Sequence, residues 1–478
     1  MNILDRTIAA VAPRLGLQRA VARRVLADMS YDAASTGRRT AGWRSGSSGP
    51  AATVSEARNR VRYRGRELVR NNPIAKKAVM VISQNVVGRG ILPNTICKVA
   101  SRKTKVEGLL KAHFDTTACD FYGRANLYGL QRQIISCMVT DGEVFVLRHM
   151  NEAFAARGKS NGPQMPLQYQ ILSADYLDVT KRSLSPSTNG ETVFDGVVYD
   201  RAGRVRGYWF YDRHPNDTLN VRRLESNFYP VERVSHIFRS DMAGQLNGIS
   251  WFAPVMVKMH DLKDFSDFRL LREKNASSFA YFVHSNSEAG LGMKARKGDG
   301  EDYVSSYPIT DVPAGSAVHL RDGDQVTAGL PPQVEGYGEY WGTNALEIAM
   351  GLGLSYATLT GDLSKGNFSS SRMGWLEDQR FFEATRDDTL QPKFLDRVNA
   401  DTQLAAQFSG VRGEFSLGWT PPARDMVDPV RETNANIAAM EAGIKSRAEA
   451  VRERGRDVED VDDERAEDAA RERNLMGG

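Results

Sequence analysis

Between Gly351 and Arg386 the chain reads GLGLSYATLTGDLSKGNFSSSRMGWLEDQRFFEATR, the pattern of an apolar helix, a polar loop and a long helix. The loop, Tyr356 to Phe368, carries Gly361, Gly366 and a run of Thr, Ser and Asn, with Asp362 and Lys365 as its only charges. Such a segment is small, wettable and hard to order by itself. Its position must therefore be set by the two arms. Ser369, Ser370 and Ser371 offer N-cap oxygens to the second arm, on which Met373, Leu376, Phe381 and Phe382 recur among Glu377, Arg380 and Arg386.

Leu352 to Arg372, L-G-L-x-Y-x-x-L-T-G-D-x-S-x-x-N-x-S-S-x-R, resembles the segment that precedes the long wing helix in lambda-family phage portal proteins. The likeness extends more loosely from Asn71-Asn72-Pro73 to Trp419-Thr420-Pro421-Pro422 and to Ser446 through Gly455, so it covers most of the chain. It implies an α+β, predominantly helical portal fold with wing, stem, clip and crown regions, assembled as a ring-shaped homo-dodecamer at one capsid vertex. Double-stranded DNA would be packaged and ejected through the ring without sequence specificity. The large terminase subunit, a head-tail connector protein and a major capsid or scaffolding protein would be its partners, in the virion and, during assembly, in the host cytoplasm.

The same resemblance divides the chain. It implies an N-terminal basic helix and flexible arm (1–53), a wing (54–250), a stem helix (251–282), a clip (283–336) and a second stem helix (337–353). The tunnel loop (354–368), a long wing helix with a following strand (369–420) and crown-like helices with an acidic tail (421–478) complete it. The implied DNA-facing residues are Thr358, Thr360, Asp362, Ser364, Lys365 and Asn367; Lys258, Lys263 and Arg269 are channel-facing stem candidates. Lys294, Arg296 and Lys297 would form the docking patch for terminase and connector. A dodecamer of stem helices ~10 Å apart traces a circle ~38 Å across, and the opening of ~28 Å left inside passes a duplex ~20 Å wide.

Composition agrees with a passive conduit. The 478 residues suffice for two or three domains, with 41% hydrophobic and 26% charged residues. No run approaches the ~18 to 20 apolar residues that span a bilayer. At the N-terminus, Asp5, Arg14, Arg19, Arg23 and Arg24 interrupt what could otherwise pass for a targeting segment, so it reads as an amphipathic basic helix. Cys97, Cys119 and Cys137 are too few and scattered for a disulfide framework, and the histidines lack zinc-site spacing. The net charge of +4 conceals a basic start and an acidic end. A near-neutral body suits a surface along which DNA slides, since many cationic contacts would make release steeply salt-dependent.

Along the chain, Ser30 to Thr53 reads as a linker, and Val54 to Val87 as two helices broken before Pro73. Helices are expected over Val99–Asp115 and Leu127–Thr140. Strands are expected at Val144–Leu147, Leu167–Leu172, Val193–Tyr199, Val205–Tyr211 and Val234–Phe238, with Asp200 to Gly203 as a hairpin turn. Ser250 can cap a stem helix with Pro254 in its first turn, running to about Phe282, a rod of ~45 Å. Val255, Met259, Leu262, Phe265 and Phe268 would line one face of it. Short strands are expected in the clip at Ala317–Leu320 and Asp324–Val326.

Enzymatic readings find little support. Gly361-Asp-Leu-Ser-Lys-Gly lacks the Lys-Ser or Lys-Thr that must follow the second glycine of a phosphate loop, so no nucleotide or other cofactor is implied. Asp115, Asp120, Asp141 and Glu143 read as caps and solvated carboxylates, and Ser235, His236 and Asp241 as a strand leading into a polar turn. The alternative from another class is a nucleic-acid-acting enzyme, a metal-dependent nuclease subunit on a helical scaffold.

Overall fold

The computed structural model describes residues 49–150, 165–183, 187, 189–217, 224–277, 281–284, 294–296, 302–304, 325–328, 336–364, 368–423, 428–456 and 458–476. Residues 50–478 form one compact unit, and the expected N-terminal helix and nearly all of the arm before it lie outside the described residues.

Helix α1 (Pro50–Asn71) and helix α2 (Pro73–Val87) meet at the Asn-Asn-Pro junction. The break has a local cause. Pro73 has no N–H to donate and suits a first helical turn. Asn72 caps that turn, accepting from Ile74 N at 2.9 Å and Ala75 N at 3.3 Å. Strand β1 (Leu92–Ile96), helix α3 (Ala100–Phe114) and helix α4 (Leu127–Asp141) follow, and α4 buries Leu127, Leu130, Ile134, Ile135 and Met138 at helical spacing against α1 and α2.

Strand β2 (Glu143–Met150) lies between β3 (Leu167–Ser173) and the later β8 (Val234–Phe238) in an antiparallel sheet. A second sheet is a meander of β4 (Thr192–Phe194), β5 (Val197–Tyr199), β6 (Val205–Tyr211) and β7 (Ser226–Pro230). The expected single strand over Val193–Tyr199 is thus two strands, because Asp195 (φ 50°) and Gly196 (φ 80°) turn the chain in left-handed conformations. The Asp200 to Gly203 turn stands where expected, with Gly203 N donating to Asp200 O at 3.0 Å.

Helix α5 (Met256–Ser277), where the first stem helix was expected, is shorter than the pattern suggested. From Ser250 to Val255 the backbone closes tight turns, Ala253 N to Ser250 O and Val255 N to Phe252 O at 3.0 Å each, and Pro254 cannot donate. At the other end the chain is already in strand β9 (Tyr281–His284), which pairs with β12 (Gln325–Ala328). Between them β10 (Lys294–Arg296) pairs with β11 (Asp302–Val304). The expected strand at Ala317–Leu320 lies outside the described residues.

Helix α6 (Tyr337–Leu352), where the second stem helix was expected, leads through Gly353 into a short helix, α7 (Tyr356–Thr360). Helix α8 (Phe368–Thr385) passes into a π-helical stretch, Arg386–Leu395, and then into α9 (Asp396–Phe408). Pro392 lies in that stretch, where widening the turn relieves its ring of the carbonyl clash an α-helix would impose. Ser369 to Ser371 are accordingly inside the first turn of α8 and not ahead of it. Strand β13 (Ser416–Thr420) closes on β1, and α10 (Pro429–Glu441), α11 (Arg447–Glu453) and α12 (Val458–Met476) end the chain. Among the described residues no helix is long and apolar enough to cross a membrane.

Candidate functional site

The segment between α6 and α8 is less loop than its composition suggested. Ser355 opens α7 as its N-cap, with its hydroxyl accepting from Thr358 N at 3.3 Å. Left-handed glycines bracket this one-turn helix, Gly353 at φ 72° and Gly361 at φ 79°, conformations that cost other residues energy. Leu359 is buried, so α7 also has an apolar anchor. The expectation of a loop from Tyr356 is therefore corrected: the non-helical part begins at Gly361.

A carboxylate from the neighbouring helix holds α7 down. Asp378 of α8 is 2% exposed and accepts from Ser355 N at 2.8 Å, from Ser355 Oγ at 2.7 Å and from Thr358 Oγ1 at 2.5 Å. Buried carboxylates need such donors, since leaving one unmade costs the full desolvation of the group. Thr360 Oγ1 donates to Tyr356 O at 2.7 Å and accepts from Asp362 N at 3.1 Å. Asp362 in turn accepts from Ser364 N at 2.9 Å and Ser364 Oγ at 2.6 Å. The expected DNA-facing residues thus fall into two groups: Thr358 and Thr360 have hydroxyls turned back onto the protein, whereas Asp362 and Ser364 belong to the outward tip with exposed Leu363. Lys365 and Asn367 lie outside the described residues.

The cations expected on the stem, and those expected in the clip, are placed as follows. Lys258 forms an ion pair with Glu347 of α6, and Arg269 pairs with Glu273 at 2.9 Å while its guanidinium sits 5.9 Å from the Tyr337 ring centre. Lys263 is half-buried on α5. Lys294 and Arg296 are at the two ends of β10, across from Val304 and Asp302 respectively, and Lys297 lies outside the described residues.

Sequence reasoning missed Asp378, and it misread the acidic residues near β2. Asp141 and Glu143 are not solvated. Arg58, Arg62 and Arg66, spaced four apart on the inner face of α1, enter the space between the sheets and meet Glu143, Asp141, Asp175 and Asp195. Arg62 reaches Glu143 at 3.1 Å and Asp175 at 3.0 Å, with every partner buried. Burial pushes the Glu143 carboxyl up, but the hydrogen bond from His236 at 3.0 Å and the charges of Arg58 and Arg62 outweigh it and hold it near about 2. His236 is thereby the partner of Glu143, while Asp241 pairs with Arg239 at 2.6 Å, so no catalytic relay forms with Ser235. Of the other carboxylates, Asp120 does cap a turn, accepting from Arg124 N at 2.7 Å, and Asp115 accepts from Tyr128 OH at 2.8 Å. The Arg58-Arg62-Arg66 spacing was the available signal for the buried network.

Known proteins resemble this chain over most of its length. Residues 36–386 match the model of the phage portal proteins of the lambda family, and the chain belongs to that family. A probable portal protein of Halomonas phage phiHAP-1 is 24% identical over 440 residues, covering 87% of this chain and 81% of that one. Portal protein B of Escherichia phage lambda is 21% identical over 445 residues, covering 83% of this chain and 81% of that one. Among solved structures, a chain from the neck of an empty GTA particle superposes with a TM-score of 0.46 at 18% identity, covering 81% of this chain and 92% of that one. An HK97 family phage portal protein from Corynebacterium diphtheriae gives 0.38 at 12% identity, covering 76% and 95%.

Proposed function

We propose that the chain works as a non-enzymatic DNA conduit: a homo-dodecameric ring at one capsid vertex through which double-stranded DNA enters and leaves. The large terminase subunit would dock on the clip during packaging and a head-tail connector protein after it, with a capsid or scaffolding protein around the wing. The chain would be assembled in the host cytoplasm and carried in the virion. Family membership supports the class of function. The observation that carries the conduit is the tip at Gly361 to Ser364, held between α6 and α8 by the Asp378 clasp on α7.

Chemically, that tip is polar and turned in on itself, with Ser364 Oγ and Ser364 N donating to Asp362, so its described residues present no cationic grip on phosphates and no base-reading donor set. The nuclease alternative gains nothing from the buried carboxylates, because Arg58, Arg62 and Arg66 already neutralise them. The test is particle mass by native mass spectrometry, together with negative-stain images of the purified full chain. Rings with an open centre are expected, and no DNA cleavage with Mg²⁺ or Mn²⁺. A monomer that stays monomeric across salt and concentration, or metal-dependent cleavage, would refute the proposal.

A further inference from the structure

Helix α12 carries eight carboxylates and three arginines among its nineteen residues, and of its described side chains only Val458 and Val461 are even partly buried. A helix that is polar on all sides gains little from packing, so charge sets its position. Cations from three other places meet it. Lys103 of α3 pairs with Glu459, Arg447 of α11 with Asp462 at 2.5 Å, and Arg456, between α11 and α12, with Glu464 at 2.6 Å. The three carboxylates lie within about 7.5 Å along the helix axis. Three cations thus converge on one short stretch of an anionic rod. Hydrogen bonds from Arg447 and Arg456 hold Asp462 and Glu464 below the ordinary carboxylate range, so the stretch stays charged.

We infer that Lys103, Arg447 and Arg456 form a contact for the phosphate backbone of duplex DNA, and that α12 occupies this contact as a polyanion mimic until DNA displaces it. The inference rests on the conduit reading, which brings duplex DNA to the chain, and adds to it a binding site and a regulator.

The occupant in place states the chemistry of the ligand. Eight carboxylates along a helix of this length come to one per ~3.6 Å of axis, against one phosphate per ~3.4 Å along a single strand of DNA. Guanidinium and ammonium groups that take carboxylates also take phosphate oxygens, and they do so without reading sequence. The cover is also weakly held: the Arg447 and Arg456 side chains stay 42% and 48% exposed, and ion pairs in water contribute little. Duplex DNA wins such an exchange because it releases condensed counterions on binding, a gain that a short carboxylate patch does not offer.

The test uses the full chain and a short fluorescein-labelled duplex, reading anisotropy across a salt series, with native mass spectrometry for ring state and circular dichroism for folding. The release variant, Glu459→Gln with Asp462→Asn and Glu464→Gln, is expected to bind the duplex about 10-fold more tightly at low salt. Its log–log salt slope should steepen by about 2 to 3, since each freed cation neutralises one phosphate at ~0.9 apiece. Adding Lys103→Ala, Arg447→Ala and Arg456→Ala to that variant should abolish both gains. A control, Asp463→Asn with Asp468→Asn and Glu472→Gln, removes the same charge from the same helix at carboxylates that do not engage these three cations. It should stay within about 2-fold of wild type. An equal gain in release variant and control would make the effect one of overall charge, and no gain in the release variant would mean that the three cations do not contact DNA. Either result overturns the inference and leaves the conduit reading intact. Ring mass decides that reading separately, and a wild type without rings defeats it together with the inference that rests on it.

Discussion

The backbone N–H of Ser355 donates to Asp378 Oδ1 at 2.8 Å, and this contact joins the start of α7 to the middle of α8 across twenty-three residues of chain. Everything displayed from Gly361 onward hangs from it. Asp378→Ala removes the acceptor of three donors in a buried place, with an expected loss of about 2 to 3 kcal/mol of stability by chemical denaturation. Hydrogen exchange at Ser355 to Thr360 should rise more than elsewhere. Unchanged protection there would show that Leu359 alone holds α7 in place.

Much of this was legible in the chain and some was not, for identifiable reasons. The helix ends at Asn72-Pro73 and the Asp200 to Gly203 turn depend on local chemistry, and local chemistry is what sequence displays. The ends of the stem helix failed because Ser250 is a good cap by type, yet its hydroxyl donates to Val139 O at 3.3 Å in a turn, a partner more than a hundred residues away. The same holds for Asp378 and Glu143. A carboxylate reads as solvated until the donors that bury it are known, and those donors come from other elements. The resemblance alone implied a DNA-facing role for Thr358 and Thr360; their hydroxyls satisfy Asp378 and the Tyr356 carbonyl, partners that a residue's type does not reveal.

The buried network makes an asymmetric prediction. Arg62→Ala leaves Glu143 and Asp175 short of a counter-charge in a dry space, and the expected cost is roughly 3 to 5 kcal/mol. Because Glu143 is held near about 2 against an ordinary value of 4.5, its share of stability is present above pH 4.5 and is lost as pH falls through that window. The gap between wild type and Arg62→Ala should therefore narrow between pH 4.5 and 2 in urea denaturation. A gap independent of pH would mean that Arg62 acts through packing alone.

His113 gives the second pH signature. Burial lowers it from 6.5 to about 4 despite its hydrogen bond to Leu167 O at 2.8 Å, and Nδ1 has no partner. Folding thus holds it neutral, so its contribution is complete above pH 6.5 and disappears as pH falls toward 4, amounting to roughly 3 kcal/mol over the window. His113→Gln cannot titrate. Relative to wild type, its stability should be gained steadily on acidification from pH 6.5 to 4, as seen in paired thermal melts; parallel curves would remove His113 as the titrating group.

The conduit itself is tested by separating contact from assembly. Under the proposed function Lys365 would contact passing phosphates, whereas Lys294, Arg296 and Lys297 would serve protein partners. Lys365→Ala should therefore lower packaging efficiency or DNA retention by a few-fold and reduce the salt slope by about 1, with rings still forming. Replacing the three clip cations by Ala should leave DNA retention in filled particles unchanged and weaken binding of the large terminase subunit. The two phenotypes must not exchange. Loss of rings in Lys365→Ala would make that lysine an assembly residue, and undiminished terminase binding by the triple variant would take the docking role away from the clip cluster.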